Sequence, residues 1–262
     1  RFSQISPKIL FIGDKYFYNG KKINIVEWLN ENYTENGKGL KYYRELVASY
    51  DGDREKAMKV FLQAYLACIT FMDEQVGKVL NALASSKFNE NTLIIFTSDH
   101  GYNLGEKDNL FKNNLWDKST RIPLIVFDPR KPKKQTIKEA VSLIDLYPTF
   151  MDYANIDGDN RKNEQGKVIS GYSIKPLIDG NDNQVRYALT VVNTGKSKKG
   201  KHFSLRTKDW RYILYGNGKE ELYHNKTDPN EIENLALSNE FSKVKQKLAN
   251  KLSLLIQNSH TE

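Results

Sequence analysis

Between residues 53 and 85 apolar side chains return every third or fourth position, at Ala57, Val60, Phe61, Ala64, Ala67, Phe71, Val76, Val79 and Leu83. That period predicts one long helix, with Asp51 or Asp53 capping its start. Residues 93–97 and 122–129 are instead short, unbroken, β-branched runs, the pattern of strands buried on both faces. Residues 136–156 return to a helical period, with Pro148 near a first turn or a break. A linker rich in Gly, Asn and Asp covers 157–166. Beyond it, 187–193, 202–210 and 211–216 alternate as antiparallel strands do. Residues 216–236 read as turn-rich and 240–257 as a closing amphipathic helix. Residues 1–50 read as irregular, apart from a short apolar piece at 8–13 and a brief helical candidate at 24–33.

Helix, strand, strand, helix and then a small antiparallel sheet predict an α/β chain with an appended α+β subdomain. Two or three convincing strands are few for an open parallel sheet, so the core reads as incomplete.

With 262 residues, 39% hydrophobic and 27% charged, the composition is that of an ordinary globular protein. No apolar run approaches the ~18 residues that span a bilayer. The net charge of +8 raises the question of nucleic acid, but the lysines are interspersed with Asn, Asp and Glu. Their densest cluster, 196–201, has no aromatic neighbours, which argues against such a partner and leaves a general attraction for anionic substrates. A single cysteine excludes an internal disulfide, and Cys68, on the apolar side of the long helix, reads as a small core residue.

The chemistry gathers in NTLIIFTSDHGYNLGEKDNLFK, residues 91–112. In an open sheet, ligands collect beyond the carboxyl ends of strands, where Asp99 and His100 stand. Gly101 lets the chain turn there. One oxygen and one nitrogen donor suit a divalent cation that takes further ligands from elsewhere; the competing reading is an Asp cap beside a solvated His. Lys112 is either a solvated loop lysine or, near a metal, a ligand for an anionic group. Lys107 and Asp108 lie close by in sequence, so local ion pairing is a competing account, and Arg121 reads as a partner of Asp117 in preference to an anion ligand.

The block TLIIFTSDHGYNLGEKDNLFKNNLWDKSTRIPLIVFDP resembles the sulfatases of the alkaline-phosphatase-like superfamily, most closely the subgroup containing iduronate-2-sulfatase. YLACITFMDEQVGKVLNAL, AVSLIDLYPTFMDYANI, GYSIKPLIDG, LRTKDWRYILY and ELYHNKTDPNEIENLA follow the same family in order. The resemblance implies a partial α/β/α sandwich over 1–183, the carboxyl-terminal part of the catalytic domain, and a small antiparallel α+β subdomain over 184–262. It implies Asp99 and His100 as Ca2+ ligands and Lys112 as the residue that contacts the sulfate group. Lys107 departs from the His often found after LGE. The family's paired aspartates and its Cys or Ser in the context that becomes formylglycine have no match here, and Cys68 is followed by Ile-Thr-Phe. The chain is therefore expected to be the carboxyl-terminal part of a longer sulfatase, inactive alone. The remainder of that protein would be its partner, a sulfated small molecule or glycan its substrate, and its location extracytoplasmic. A phosphodiesterase or phosphonate hydrolase of the same superfamily, or a non-catalytic sulfatase-like binding module, are the alternatives. Asn32-Tyr-Thr and Asn225-Lys-Thr match the glycosylation pattern by chance in so Asn-rich a chain.

Overall fold

The computed structural model describes residues 16–18, 21–23, 38–156, 170–193 and 200–261. The expected apolar piece at 8–13, the helical candidate at 24–33 and the linker at 157–166 lie outside them, as does Asn32. Short strands β1 (Tyr16–Tyr18) and β2 (Lys21–Ile23) precede helix α1 (Lys38–Ala48), which falls in the stretch read as irregular. Its buried residues are Leu40 and Tyr43, a stripe too narrow to stand out in a segment of Lys, Gly and Tyr.

The long helix α2 runs Arg54–Ala84, with the Asp53 side chain accepting from Lys56 N at its start, as the period and the cap predict. It is followed by β3 (Ile94–Thr97), the two-residue strands β4 (Asn103–Leu104) and β5 (Leu110–Phe111), the single helical turn α3 (Asp117–Thr120) and β6 (Leu124–Phe127). β3 and β6 pair antiparallel, Ile94 opposite Phe127 and Thr97 opposite Leu124. They are not covered on both faces among the described residues: Ile125 and Phe127 are exposed. Cys68 is exposed too, because little of the apolar surface of α2 meets another described element.

The helix expected over 136–156 is shorter. Ser142 and Asp145 form a reciprocal capping box around the 3-10 turn Leu143–Asp145, and α4 occupies only Leu146–Ala154. The box sets the entry point, and Pro148 sits in the first turn, where its missing N–H costs nothing. A short helix α5 (Lys175–Asp179) leads to four strands: β7 (Ala188–Asn193), β8 (Lys201–Arg206), β9 (Trp210–Leu214) and β10 (Glu220–His224). They form an antiparallel sheet in the order β10-β9-β8-β7. β10 lies in the text read as turn-rich, since Glu220 and Glu221 at its start break the apolar alternation. Strand β11 (Glu233–Asn234) joins β1, and helix α6 (Ser242–Thr261) closes the chain.

Period-2 alternation gives the sheet two buried faces. Leu205, Tyr212 and Leu222 meet Leu248 and Leu252 of α6 in one apolar cluster. The opposite face presents Arg211, Glu221 and Tyr223 to the segment that connects β3 with β6. That second face positions the candidate site.

Candidate functional site at the end of strand β3

Gly101 is required by close approach. Its N–H donates to Ser119 O at 2.8 Å, and an added Cβ would stand 2.1 Å from Lys118 O and 2.7 Å from Arg121 O. The α3 turn thus presses on the backbone just after His100, and only glycine leaves room.

The three residues expected at the site come together. His100 Nε2 lies 3.6 Å from Asp99 Oδ2 and 2.6 Å from Lys112 Nζ. His100 Nδ1 lies 2.9 Å from Gly101 O. A carbonyl only accepts, so Nδ1 carries the proton and Nε2 turns a lone pair outward, which the Lys112 ammonium takes up. Asp99 is open, its side chain 82% exposed. Ser98 Oγ donates to His100 O at 3.0 Å and tightens the turn.

Lys112 reaches His100 because β4 and β5 fold the loop back as a hairpin, Asn103 opposite Phe111. Buried Asn103 donates to Phe111 O at 3.0 Å and also bonds Ser119 Oγ. Tyr102 stacks on Tyr65 of α2 and meets Phe111 edge-on. The turn bends sharply: Lys107 (φ 54), Asp108 (φ 53) and Phe111 (φ 70) are non-glycine residues in left-handed conformations. Each costs on the order of 1–3 kcal/mol and persists where surrounding contacts over-determine it.

Those contacts come from two sides. Arg54 of α2 pairs with Asp108 at 2.6 Å, in place of the local Lys107–Asp108 pair. Lys107 instead points its ammonium between two rings, 4.4 Å from the centroid of Trp116 and 4.6 Å from that of Tyr223, and donates to Tyr223 Oη at 3.2 Å. Glu221 lies beneath. It accepts from Trp116 Nε1 at 3.0 Å, Tyr223 Oη at 2.8 Å and Tyr215 Oη at 3.1 Å. Burial pushes Lys107 down to about 8, against the pull of Glu221, Glu231 and Asp228. Burial likewise holds Glu221 above the usual carboxylate range, although Lys107 and its three donors pull it back.

Beside this cluster Arg211 joins the loop to the sheet. Its guanidinium donates to Glu231 Oε1 at 2.6 Å, Asp117 Oδ1 at 2.7 Å, Ser204 Oγ at 2.7 Å and Leu115 O at 3.2 Å. Burial alone would raise Asp117; Arg211 outweighs it and holds the carboxyl below its ordinary value. The expected Arg121–Asp117 pair is present but loose, at 3.8 Å. Asn225 is buried and donates to Glu231 Oε1 at 2.7 Å, so its side chain serves the fold. In the turn after β10, Glu231 (φ 55) accepts from Asp117 N at 2.8 Å.

A cavity of about 1580 Å³ runs along β6, and its lining includes none of Asp99, His100 and Lys112. Among the described residues no group of three or more His, Cys, Asp or Glu side chains could hold a metal, so Asp99 and His100 supply part of a coordination sphere at most. No described helix is long and apolar enough to cross a membrane.

Comparison with known proteins follows the same outline. The family described as Sulfatase matches residues 33–156, and the one described as N-sulphoglucosamine sulphohydrolase, C-terminal, matches 105–258. A sulfatase of Formosa agariphila is 36% identical over 173 residues, covering 66% of this chain and 32% of that protein. A solved structure holding its substrate D-glucosamine-2-N,6-O-disulfate superposes with a TM-score of 0.63 at 26% identity, over 82% of this chain and 45% of the other. The phosphonate monoester hydrolase of Agrobacterium radiobacter is alike in fold alone, with a TM-score of 0.59 at 24% identity over 71% of this chain and 39% of the other. The chain spans less than half the length of each of these relatives.

Proposed function

We propose, from the premise that this chain belongs to the sulfatase family of the alkaline-phosphatase-like superfamily, that the turn after β3 is part of a sulfate-ester hydrolase site. The observation that carries the reading is the convergence on His100 Nε2 of the Lys112 ammonium at 2.6 Å and the Asp99 carboxylate at 3.6 Å.

The donor set fits a divalent cation in part. The exposed Asp99 carboxylate gives the hard oxygen that Ca2+ takes together with additional oxygen ligands, and the Nδ1–H tautomer of His100 leaves its Nε2 lone pair, engaged by Lys112 here, as a nitrogen donor. When bound, such an ion supplies positive charge that offsets repulsion between an anionic sulfate ester and its attacking oxygen. The formylglycine that provides this oxygen in the family, and the remaining metal ligands, belong in this proposal to polypeptide outside the chain.

The chain's own residues do the rest. Nε2 offers one lone pair, so Lys112 gives up that bond whenever the lone pair is used elsewhere. Its ammonium is then free to bind a sulfuryl oxygen, on which charge grows as the ester bond breaks. Gly101 lets the α3 turn press on the backbone just after His100, which keeps the turn that bears Asp99 and His100 in place.

The substrate class in this reading is a sulfated glycan or sugar, supported by the disulfated glucosamine in the similar structure. The iduronate-type subgroup, a division of the chain at 183/184 and an extracytoplasmic location belong to the same proposal. The apolar surface of α2, with Phe71 66% and Val79 68% exposed, supports the idea that further sulfatase polypeptide covers it. Sulfate release by the longer, formylglycine-bearing protein tests the assignment. Asp99→Ala and Lys112→Ala are each expected to lower kcat/KM at least about a hundredfold. Unchanged turnover in either variant removes that residue from its role.

A further inference from the structure

The hairpin turn that carries Lys107 is closed locally, Gly105 N–H donating to Asn109 O at 3.0 Å and Leu104 N–H to Glu106 Oε2 at 2.6 Å. Two distant contacts then fix where the closed turn sits. Arg54 holds Asp108 from the side of α2, and the carboxyl-terminal sheet receives Lys107 from the other. β5 and the left-handed Phe111 (φ 70) then link this turn to Lys112. A displacement of the turn therefore displaces the Lys112 ammonium relative to His100.

We infer that Glu221, Trp116 and Tyr223 form a socket for the Lys107 ammonium, and that seating Lys107 there sets the position of Lys112 against His100. Lys107 and Glu221 are positioning residues: neither touches the Asp99–His100–Lys112 point, and each acts through the hairpin. The inference rests on the proposed function only for the meaning of Lys112; the coupling itself is a property of the chain. A charged Lys107 satisfies both rings and the carboxylate. A neutral amine keeps one hydrogen bond to Tyr223 and loses the attraction of the aromatic faces.

The groups that bear on Lys107 are Glu221 of β10, Glu231 and Asp228 of the turn after it, Arg211 of β9, and the Trp116 and Tyr223 rings. Arg211, Asp117 and Glu231 hold one another. Of the two cations in the joint, Lys107 is the one whose proton leaves near 8 as pH rises, while Arg211 is held charged.

The test reads the two ends of the coupling in this chain by NMR between pH 7 and 9. The Trp116 indole N–H reports the socket, and the His100 ring reports the contact with Lys112. Both resonances are expected to move with one midpoint near 8 in the wild type. That step should be missing from both resonances in Lys107→Met and in Lys107→Arg, so the coupling is read as the difference between wild type and variant. A Trp116 signal that titrates while His100 does not would overturn the coupling, and a Trp116 signal that stays still would overturn the socket. In the longer enzyme, Lys107→Met is expected to lower kcat roughly tenfold with KM little changed and Lys107→Arg to restore it. A wild type that releases no sulfate while both resonances titrate together would sink the proposed function and leave the coupling standing.

Discussion

Both faces of the four-stranded sheet are covered, and most of the surface of α2 is not. On β9 the consecutive residues Arg211, Tyr212 and Ile213 are all buried, Tyr212 against α6 and Arg211 against the loop before β6. Along α2 the buried residues are Ala57 and Met58, while Val60, Leu66, Ile69, Phe71, Met72, Val79 and Leu80 are exposed. A helix apolar on most sides belongs inside a larger body, whereas a sheet with helix on one face and loop on the other is already a complete layer structure. The site lies between these regions. Its loop leans on the finished sheet through Lys107 and Arg211, while the strand that bears Asp99 belongs to the half that is open among the described residues. Order at the site is thus expected to come from the carboxyl-terminal side.

The strongest way to break that comparison is to remove Arg211. Its side chain is 2% exposed, with the Glu231 carboxylate beside it at 1%. Arg211→Met leaves two buried carboxylates, Asp117 and Glu231, without their main cation. The expected loss is about 3–5 kcal/mol, most of it the penalty of uncompensated buried charge, read as a shift of the urea midpoint at constant slope. Neutralising the partners as well, with Asp117→Asn and Glu231→Gln, should recover part of it. A loss under about 1 kcal/mol, the scale of an exposed pair, would mean that water reaches this face and that the sheet is no better covered than α2.

Lys107 sharpens the same point through pH. Its ordinary value is 10.5, and burial brings it to about 8 in the folded chain. Between those two values the folded protein has released the proton and the unfolded chain still holds it, so unfolding takes up a proton and stability rises with pH across the window. The gap corresponds to roughly 3 kcal/mol. Unfolding measured at pH 7.5 and at pH 10 should show this rise in the wild type and a flatter response in Lys107→Met. The sign runs opposite to the positioning effect, which is lost as the same proton leaves. Stability that does not rise with pH over this range would place the ammonium in water.

Legibility in the sequence followed locality. The period of α2, the runs of β3 and β6 and the closing helix α6 could be read directly, because a long unbroken pattern outweighs local exceptions. β10 could not, since a glutamate occupies a buried strand position and only its tertiary partners explain it. The capping box at Ser142 and Asp145 was visible as residues but not as a boundary, so the helix before Asn155 was drawn too long. At the candidate site, Asp99, His100 and Lys112 stand out in the sequence by their place after a strand and by the family pattern. Their convergence does not, because it depends on a hairpin whose turn residues are Lys and Asp in place of the usual Asn-Gly signal. The buttress was the least legible part: Lys107 meets Tyr223 across 116 positions and Arg211 meets Asp117 across 94. Adjacent charges suggested a Lys107–Asp108 pair, whereas each residue is engaged by a distant partner.

The smallest effect is expected at the exposed face of α2, and its smallness is the test. Phe71→Glu and Val79→Glu remove apolar side chains that are already about two-thirds in contact with solvent, so in this chain each should change stability by no more than about 0.5 kcal/mol. Glutamate is a good helix former, which leaves little propensity cost to confuse the reading. In a longer sulfatase polypeptide the same two substitutions would place charge inside a covered core and cost several kcal/mol, of order 3–5 for the phenylalanine site. A large loss already in the 262-residue chain would show that α2 finds cover within it, by self-association or by the segment before residue 38. Equal, small losses in both would show that this face stays open in the whole protein and that the contrast between sheet and helix belongs to the family's surface, not to its core.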